Sequence, residues 1–342
     1  MICIVTDAWL PQINGVVTTL VNLKEQLEKD GHEVFVIEPS MFKSFSLPGY
    51  KEIKICYEFR QIRKLMKFYN PKHIHIATEG PLGLAARMYC TRNKLQFTTS
   101  FHTKFAEFIK ARIPVFPLGL GYAYLKWFHS GASRVLVTTN CMKEELEARG
   151  FKNMVVWTRG VDRTIFKPRF DKSSWRKKSK RSFMILYVGR VSHEKNIKDF
   201  CRINPYNFGR NNVHVMVVGD GPARKELEGH WPHVEFVGSK TGDELAQFYR
   251  DADVFVFPSV NDTFGVVLIE SIATGTPIAT YPVTGPKSVV IEGVNGSMDD
   301  NLTVAVANCL DMNRKAVYET SLNYTWERCK DIFLENLIPI EG

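Results

Sequence analysis

The feature that most constrains this fold is an alternation that the chain goes through twice. Short apolar runs at 2–5 (ICIV), 34–37 (VFVI), 73–77 (HIHIA) and 134–139 (RVLVTT) read as strands. Between them, VVTTLVNLKEQLEKDG (16–31) and EFRQIRKLMKFYN (58–70) carry the helical period, the second ending before Pro71. After Arg181 the pattern restarts with FMILYVG (183–189), HVMVVGD (214–220), DVFVFPS (253–259) and PIATY (277–281). Strands that alternate with helices form parallel sheets covered on both faces. The expected fold class is therefore α/β, with two doubly wound Rossmann-like domains. Ligands of such sheets bind beyond the carboxyl ends of the strands, so two sheets facing one another would hold the ligand in the cleft between them.

The stretch KPRFDKSSWRKKSKRS (167–182) is polar, basic and broken by Pro168, which makes it the expected linker. It divides the chain into a first domain over 1–165 and a second from 166. A length of 342 residues suits two ordinary domains, and 44% apolar with 24% charged residues is a soluble composition. No run of eighteen apolar residues predicts a transmembrane helix. The start, MICIVTDAWLP, lacks a basic region and places Asp7 where a signal peptide would be apolar, so none is expected. Seven dispersed cysteines without a C-x-x-C pair suit reduced thiols in a cytoplasm, not a disulfide framework or a zinc site.

Charge is unevenly spread. The net charge is +9, and residues 1–165 alone hold 23 Lys and Arg against 14 Asp and Glu. Residues 167–181 add eight basic residues against one acid, leaving 182–342 with 14 against 21. A basic first half suits an anionic partner: a phosphorylated substrate, an acidic lipid or a nucleic acid. No nucleic-acid recognition motif accompanies it.

Several motifs fall just after strands, where such sheets bind ligands. In PQINGVVTTL (11–20), Gly15 stands at a helix start, where the missing side chain lets backbone N–H groups approach a phosphate; a plain tight turn explains it equally well. In YVGRVSHEKN (187–196), Arg190 and Lys195 offer two cations suited to a diphosphate, although Glu194 could pair with either. Gly219 in VVGDGPARKEL and Gly238 in FVGSKTGDEL sit at strand ends where a nucleotide could lie against the turn. His102 in SFHTKF follows the strand at 96–100, whereas His73 and His75 fall inside a strand and read as packing. The stretch SVNDTFGVVLIESIATG (259–275) sets Asp262 and Glu270 eight positions apart around an apolar run. A helix is expected from about Phe264 to Ala273, with Asp262 just ahead of it and Glu270 inside it. The N–H groups of Phe264, Gly265 and Val266 would then be free donors for an anion.

Together these stretches resemble the retaining glycosyltransferases of the GT-B fold, specifically glycosyltransferase family 4, along essentially the whole chain. The landmarks are TDAWLPQINGVVTTL (6–20), ATEGPLGLAAR (77–87), RGVDRTIFKP (159–168), YVGRVSHEKN, GDGP (219–222) and DTFGVVLIESIATGTP (262–277), the last being the family's E-x7-E segment. The resemblance implies a nucleotide-diphosphate sugar as donor, bound mainly by the second domain, with no cofactor and no metal. Arg190 and Lys195 would neutralise the diphosphate as the glycosidic bond breaks, with backbone contacts from Phe264, Gly265 and Val266. Glu270 would hold the ribose hydroxyls, Asp262 the donor sugar, Gly15 the phosphates, and His102 would approach the sugar near the acceptor. Asp262 departs from the usual Glu by one methylene, which leaves the donor sugar open. The resemblance also implies that a helix in NYTWERCKDIFLENL (323–337) returns to the first domain, with the break near Thr325, so that 166–325 forms the second domain and 326–342 rejoins the first.

Eight basic residues between Lys43 and Lys72, and the aromatic stretch KFAEFIKARIPVFPLGLGYAYLKWFHSG (104–131), suit an anionic membrane surface. The family resemblance includes bacterial enzymes that glucosylate or glucuronosylate diacylglycerol. The expectation is therefore a cytoplasmic enzyme, peripheral on the inner face of the cell membrane, that moves a hexose from UDP-glucose or UDP-glucuronate to a lipid such as diacylglycerol. A GDP-mannose-dependent α-mannosyltransferase acting on lipid or polysaccharide, a sugar-nucleotide epimerase of the same fold, and a non-enzymatic nucleotide-sugar binder stay open beside it.

Overall fold

The computed structural model describes residues 1–12, 14–47, 50–113, 115–169, 183–209 and 212–340. The chain forms two compact units, Met1–Gly160 with Trp326–Gly342, and Val161–Thr325. The first unit is a six-stranded sheet of β1 (Ile2–Val5), β2 (Val34–Ile37), β5 (His73–Ile76), β6 (Thr98–Phe101), β7 (Arg134–Val137) and β8 (Met154–Val156). Its strand order is β2-β1-β5-β6-β7-β8, with parallel pairing throughout. A separate antiparallel hairpin, β3 (Ser44–Leu47) and β4 (Tyr50–Cys56), has no counterpart in the sequence reading. The helices are α1 (Gly15–Lys29), α2 (Arg60–Tyr69), α3 (Pro81–Arg92), α4 (Phe105–Arg112), α5 (Leu118–Ser130) and α6 (Asn140–Ala148).

The continuous apolar strands are explained by burial on both faces. Cys3 and Val5 join one core with Ile74 and Ile76, while Ile2 and Ile4 face a second core with Leu20, Leu23 and Leu27 of α1. That second core is completed by the C-terminal helix Trp326–Asn336, which contributes Trp326, Cys329 and Phe333. The Trp157 indole N–H donates to the Cys329 carbonyl at 2.8 Å. The start of α1 is closed by Asn14, whose side chain accepts from the N–H groups of Val16 and Val17 at 3.0 Å. Asn14→Ala should lower stability by about 1 kcal/mol, seen as an earlier urea midpoint with unchanged slope.

The second unit holds β9 (Phe183–Val188), β10 (Val213–Val218), β11 (Val234–Gly238), β12 (Val254–Phe257), β13 (Ile278–Thr280) and β14 (Gly296–Met298). Their order, β11-β10-β9-β12-β13-β14 and all parallel, is the dinucleotide-fold order with its reversal between β9 and β12. Alternation along β9 again serves two cores, Met184, Leu186 and Val188 on one side and Phe183, Ile185 and Tyr187 on the other.

The boundary between units falls after Gly160, not after residue 165. Val161 donates its N–H to the Tyr324 carbonyl at 3.2 Å, and Val161 and Phe166 pack into the second unit's core, which draws 161–165 with them. Of the basic stretch 167–182, residues 170–182 lie outside the described residues. Among the described residues no helix is long and apolar enough to cross a membrane.

Candidate active site

Strands β9 and β12 pair directly, Val254 opposite Ile185 and Phe255 opposite Leu186, so their carboxyl ends lie side by side where the strand order reverses. The chain leaves β9 through Gly189 at φ 151 and reaches Arg190, whose carbonyl accepts from the Tyr187 hydroxyl at 2.8 Å. A single 3-10 turn, His193–Lys195, ends at Asn196 in the left-handed region and presents Lys195. From the other side, the chain leaving β12 passes Ser259 and delivers Asp262. Lys195 Nζ meets Asp262 Oδ1 at 2.6 Å, which joins two of the residues the sequence singled out.

Burial alone would push the Asp262 carboxyl up. The charge and hydrogen bond of Lys195, with a smaller influence from the Ser259 hydroxyl, outweigh it and hold the group below its usual range. Asp262 Oδ2 and Ser259 Oγ are both buried without a well-formed hydrogen bond. Asp262 is thus an ionised acceptor with one oxygen committed to Lys195.

The helix of this segment begins later than expected. It spans Val266–Ala273, with Gly265 as its cap at φ 87 and no side chain closing it. Phe264 lies ahead of the helix and is buried, edge-on to Tyr324 with ring centroids 6.1 Å apart, so its side chain is a core element. The late start follows from Gly265, whose left-handed backbone turns the chain and admits helix only from Val266. The apolar letters Leu268, Ile269, Ile272 and Ala273 pack this helix on the sheet. Glu270 is half-buried on the same helix, and the Tyr249 hydroxyl donates to its Oε2 at 3.0 Å. Burial pushes Glu270 up to about 7, against the pull of the Tyr249 bond.

The glycines have firm backbone reasons. A Cβ on Gly219, at φ 149, would lie 1.8 Å from the Gly189 carbonyl oxygen, and Gly219 donates its N–H to the Gly238 carbonyl at 2.9 Å. Gly219 therefore lets the turn after β10 close against the end of β9, and its N–H ties that turn to the end of β11. Gly285 was not anticipated: a Cβ there would lie 2.6 Å from the Asp262 carbonyl oxygen and 3.3 Å from the Phe264 nitrogen.

In the first unit, Gly15 is exposed at the first position of α1, but the Val16 and Val17 N–H groups beside it are already taken by Asn14. His102 is buried one residue beyond β6, and its Nδ1 lies 2.9 Å from Arg159 Nη2. Burial first, then the charge of Arg159, keeps its imidazole well below the usual range and hence neutral. His75 is fully buried inside β5 between the hydroxyls of Thr98 and Ser100, each at 2.8 Å, as the packing reading expects. Asp7, Tyr249 and Arg159 were missed by sequence reasoning. Asp7 accepts from the Thr78 hydroxyl at 2.8 Å and from the Leu82 and Gly83 N–H groups at 2.8 and 3.2 Å, closing the start of α3 from the bend that follows β1, 75 residues before Leu82. No local spacing signals contacts over such distances.

At the ends of β9 and β12, two basic side chains, an open helix start and two acids make a set suited to an anion with hydroxyl groups beside it. The profile described as Glycosyltransferase Family 4 matches residues 13–164, and that described as Glycosyl transferases group 1 matches 169–302. A GDP-mannose-dependent alpha-mannosyltransferase of Corynebacterium glutamicum is 28% identical, over 95% of this chain and 86% of the relative. An alpha-monoglucosyldiacylglycerol synthase of Streptococcus pneumoniae is 24% identical, over 97% and 85%. The Anabaena protein HepE, solved with UDP-glucose, superposes with a TM-score of 0.71 at 14% identity, over 98% of both chains. Fold and profiles define a GT-B glycosyltransferase. Within that class, the chain belongs to glycosyltransferase family 4.

Proposed function

We propose that this enzyme moves a hexose from GDP-mannose to a hydroxyl of a membrane lipid, with retention at the anomeric carbon and without a metal. The observation that carries the reading is the Lys195–Asp262 pair at the switch between β9 and β12. Lys195 and Arg190 neutralise the diphosphate, the backbone at Gly265 and Val266 adds donors, and Glu270 accepts from the ribose hydroxyls. Asp262 accepts from the donor sugar, His102 meets that sugar, and Gly15 serves the phosphates. The acceptor oxygen bonds to the anomeric carbon on the face from which the diphosphate leaves. The broken C–O pair goes to the diphosphate, which takes the acceptor's proton. The donor differs from the uridine-linked hexose expected from sequence because the 28% identical relative is named for GDP-mannose. Thermal-shift titration with GDP, UDP and their sugar conjugates tests it; stabilisation by the uridine series alone overturns the base.

The lipid acceptor is supported by the outward face of α2 and its surroundings. Arg60, Arg63, Lys64 and Lys67 are exposed and form no ion pair among the described residues, and Phe68 beside them is 80% exposed. Phe45, Tyr57, Val115, Leu120 and Trp127 are further exposed apolar residues of the first unit. Cations beside exposed aromatic rings suit an anionic bilayer surface. Co-sedimentation with anionic liposomes is expected at low salt and should weaken at high salt; absence of binding at both overturns it.

Asp262→Glu should leave nucleotide affinity nearly unchanged while altering the ratio of kcat/KM between mannose and glucose donors by about 10-fold, the worth of one methylene in a close pocket. An equal loss for every sugar would count against Asp262 as the sugar contact.

A further inference from the structure

His102 is held from one side by a cation that has no acid of its own. Arg159 is 3% exposed, and among the described residues no carboxylate pairs with it. Its Nη1 donates to the carbonyls of Trp157 at 2.7 Å and Thr158 at 3.1 Å, and its guanidinium lies 4.4 Å from the centre of the Trp157 ring. Nη2 is thereby aimed at His102 Nδ1 at 2.9 Å. A guanidinium only donates hydrogen bonds, so Nδ1 must present its lone pair. The imidazole then has one neutral form left, with its proton on Nε2. The rings of Trp157 and His102, 5.7 Å apart and inclined at 60°, fix the plane in which that N–H points.

A buried guanidinium without an acid is expensive unless its donors are satisfied and its position serves something. Here one of its three remaining N–H groups meets the imidazole, and that contact sets a tautomer. We propose that Arg159 is a positioning residue that fixes the proton of His102 on Nε2, so that His102 meets the transferred sugar as a hydrogen-bond donor and not as a general base. This rests on the proposed contact between His102 and the donor sugar. It also fits a reaction in which the leaving diphosphate takes the acceptor's proton, since the histidine's one ring lone pair, on Nδ1, is taken by Arg159.

The tautomer can be read without any substrate. Protein labelled with 15N-histidine, with His102 assigned by its absence in His102→Gln, should show the Nε2–H form and no Nδ1–H form between pH 5 and 8 in two-bond nitrogen–proton spectra. An Nδ1–H form, or a protonated ring at neutral pH, overturns the proposal. In Arg159→Met the His102 signals should become a mixture of tautomers or protonate within that window; an unchanged spectrum in the folded variant overturns it too. Should Arg159→Met fail to fold, the wild-type spectrum decides alone. Kinetics add a second arm. Glutamine places an N–H near Nε2, so His102→Gln should keep kcat within about 10-fold of wild type, whereas His102→Ala should lose about 100-fold. Equal loss in both would mark a base and overturn the proposal. A wild-type enzyme with the expected tautomer but no transfer from any nucleotide sugar would instead refute the sugar-transfer reading and leave the Arg159–His102 relation standing.

Discussion

Lys195→Ala is expected to lower kcat by about 10²–10³-fold, the usual consequence of removing one group that stabilises charge developing in the transition state. The diphosphate gains negative charge as the glycosidic bond breaks, so Lys195 acts more strongly on the transition state than on the bound donor. KM for the nucleotide sugar should therefore rise less than kcat falls. A second penalty comes from Asp262. With Lys195 present, its carboxylate is paired at 2.6 Å and held below the usual range against the effect of burial. Without Lys195 the same carboxylate is a buried, unpaired anion facing an anionic ligand. The single variant should thus bind the donor worse than Lys195→Ala/Asp262→Asn does, a non-additivity that a double-mutant cycle measures directly. Strictly additive losses would show that the pair is not shared with the ligand. Arg190→Ala should also lower kcat, through the same loss of a positive charge beside the leaving diphosphate.

The contrast between what the sequence disclosed and what it hid follows from distance along the chain. Two parallel sheets were legible because strands buried on both faces must be apolar runs, and ICIV, VFVI and FMILYV fill both cores of their units. The positions of Arg190, Lys195, Asp262 and Glu270 were legible because the apolar runs mark where β9 and β12 end, and each residue follows such an end or lies on the next helix. The start of the helix at 266 was misjudged because Phe264 is apolar and fits the helical pattern, whereas the left-handed Gly265 alone decides where helix can begin. The hairpin of β3 and β4 is antiparallel and separate from the sheet, so it breaks the strand–helix alternation that disclosed the other strands. Tyr249, Arg159 and Asp7 act on partners 21, 57 and 71–76 residues away, so only the folded chain reveals them. The boundary at Gly160 was missed for the same reason, since one bond from Val161 to Tyr324 assigns that strand of chain to the second unit.

Donor affinity should rise with pH up to about 7 and then level off, and Glu270 is the reason. Its carboxyl is pushed up to about 7 by burial, while the Tyr249 hydroxyl pulls the other way. Two effects of opposite sign follow. In the free protein the folded state keeps the proton to higher pH than the unfolded chain does. Glu270 therefore withdraws stability as pH rises from the ordinary carboxylate range to about 7, and its contribution is flat above that. Ribose hydroxyls are donors to an ionised carboxylate, so binding favours the charged form and strengthens over the same window, by at most about tenfold per pH unit below 7. The measurement is calorimetric titration with an intact nucleotide sugar, whose phosphodiester does not titrate there, unlike a terminal phosphate with a pKa of about 6. Glu270→Gln should bind more weakly and lose the pH dependence. Glu270→Ala should weaken binding by about 10–100-fold, the loss of hydrogen bonds to a charged group. Tyr249→Phe removes the one bond that lowers the Glu270 pKa, so the midpoint of the affinity profile should move to higher pH. A flat wild-type profile, or a midpoint that moves down in Tyr249→Phe, would take the ribose contact away from Glu270.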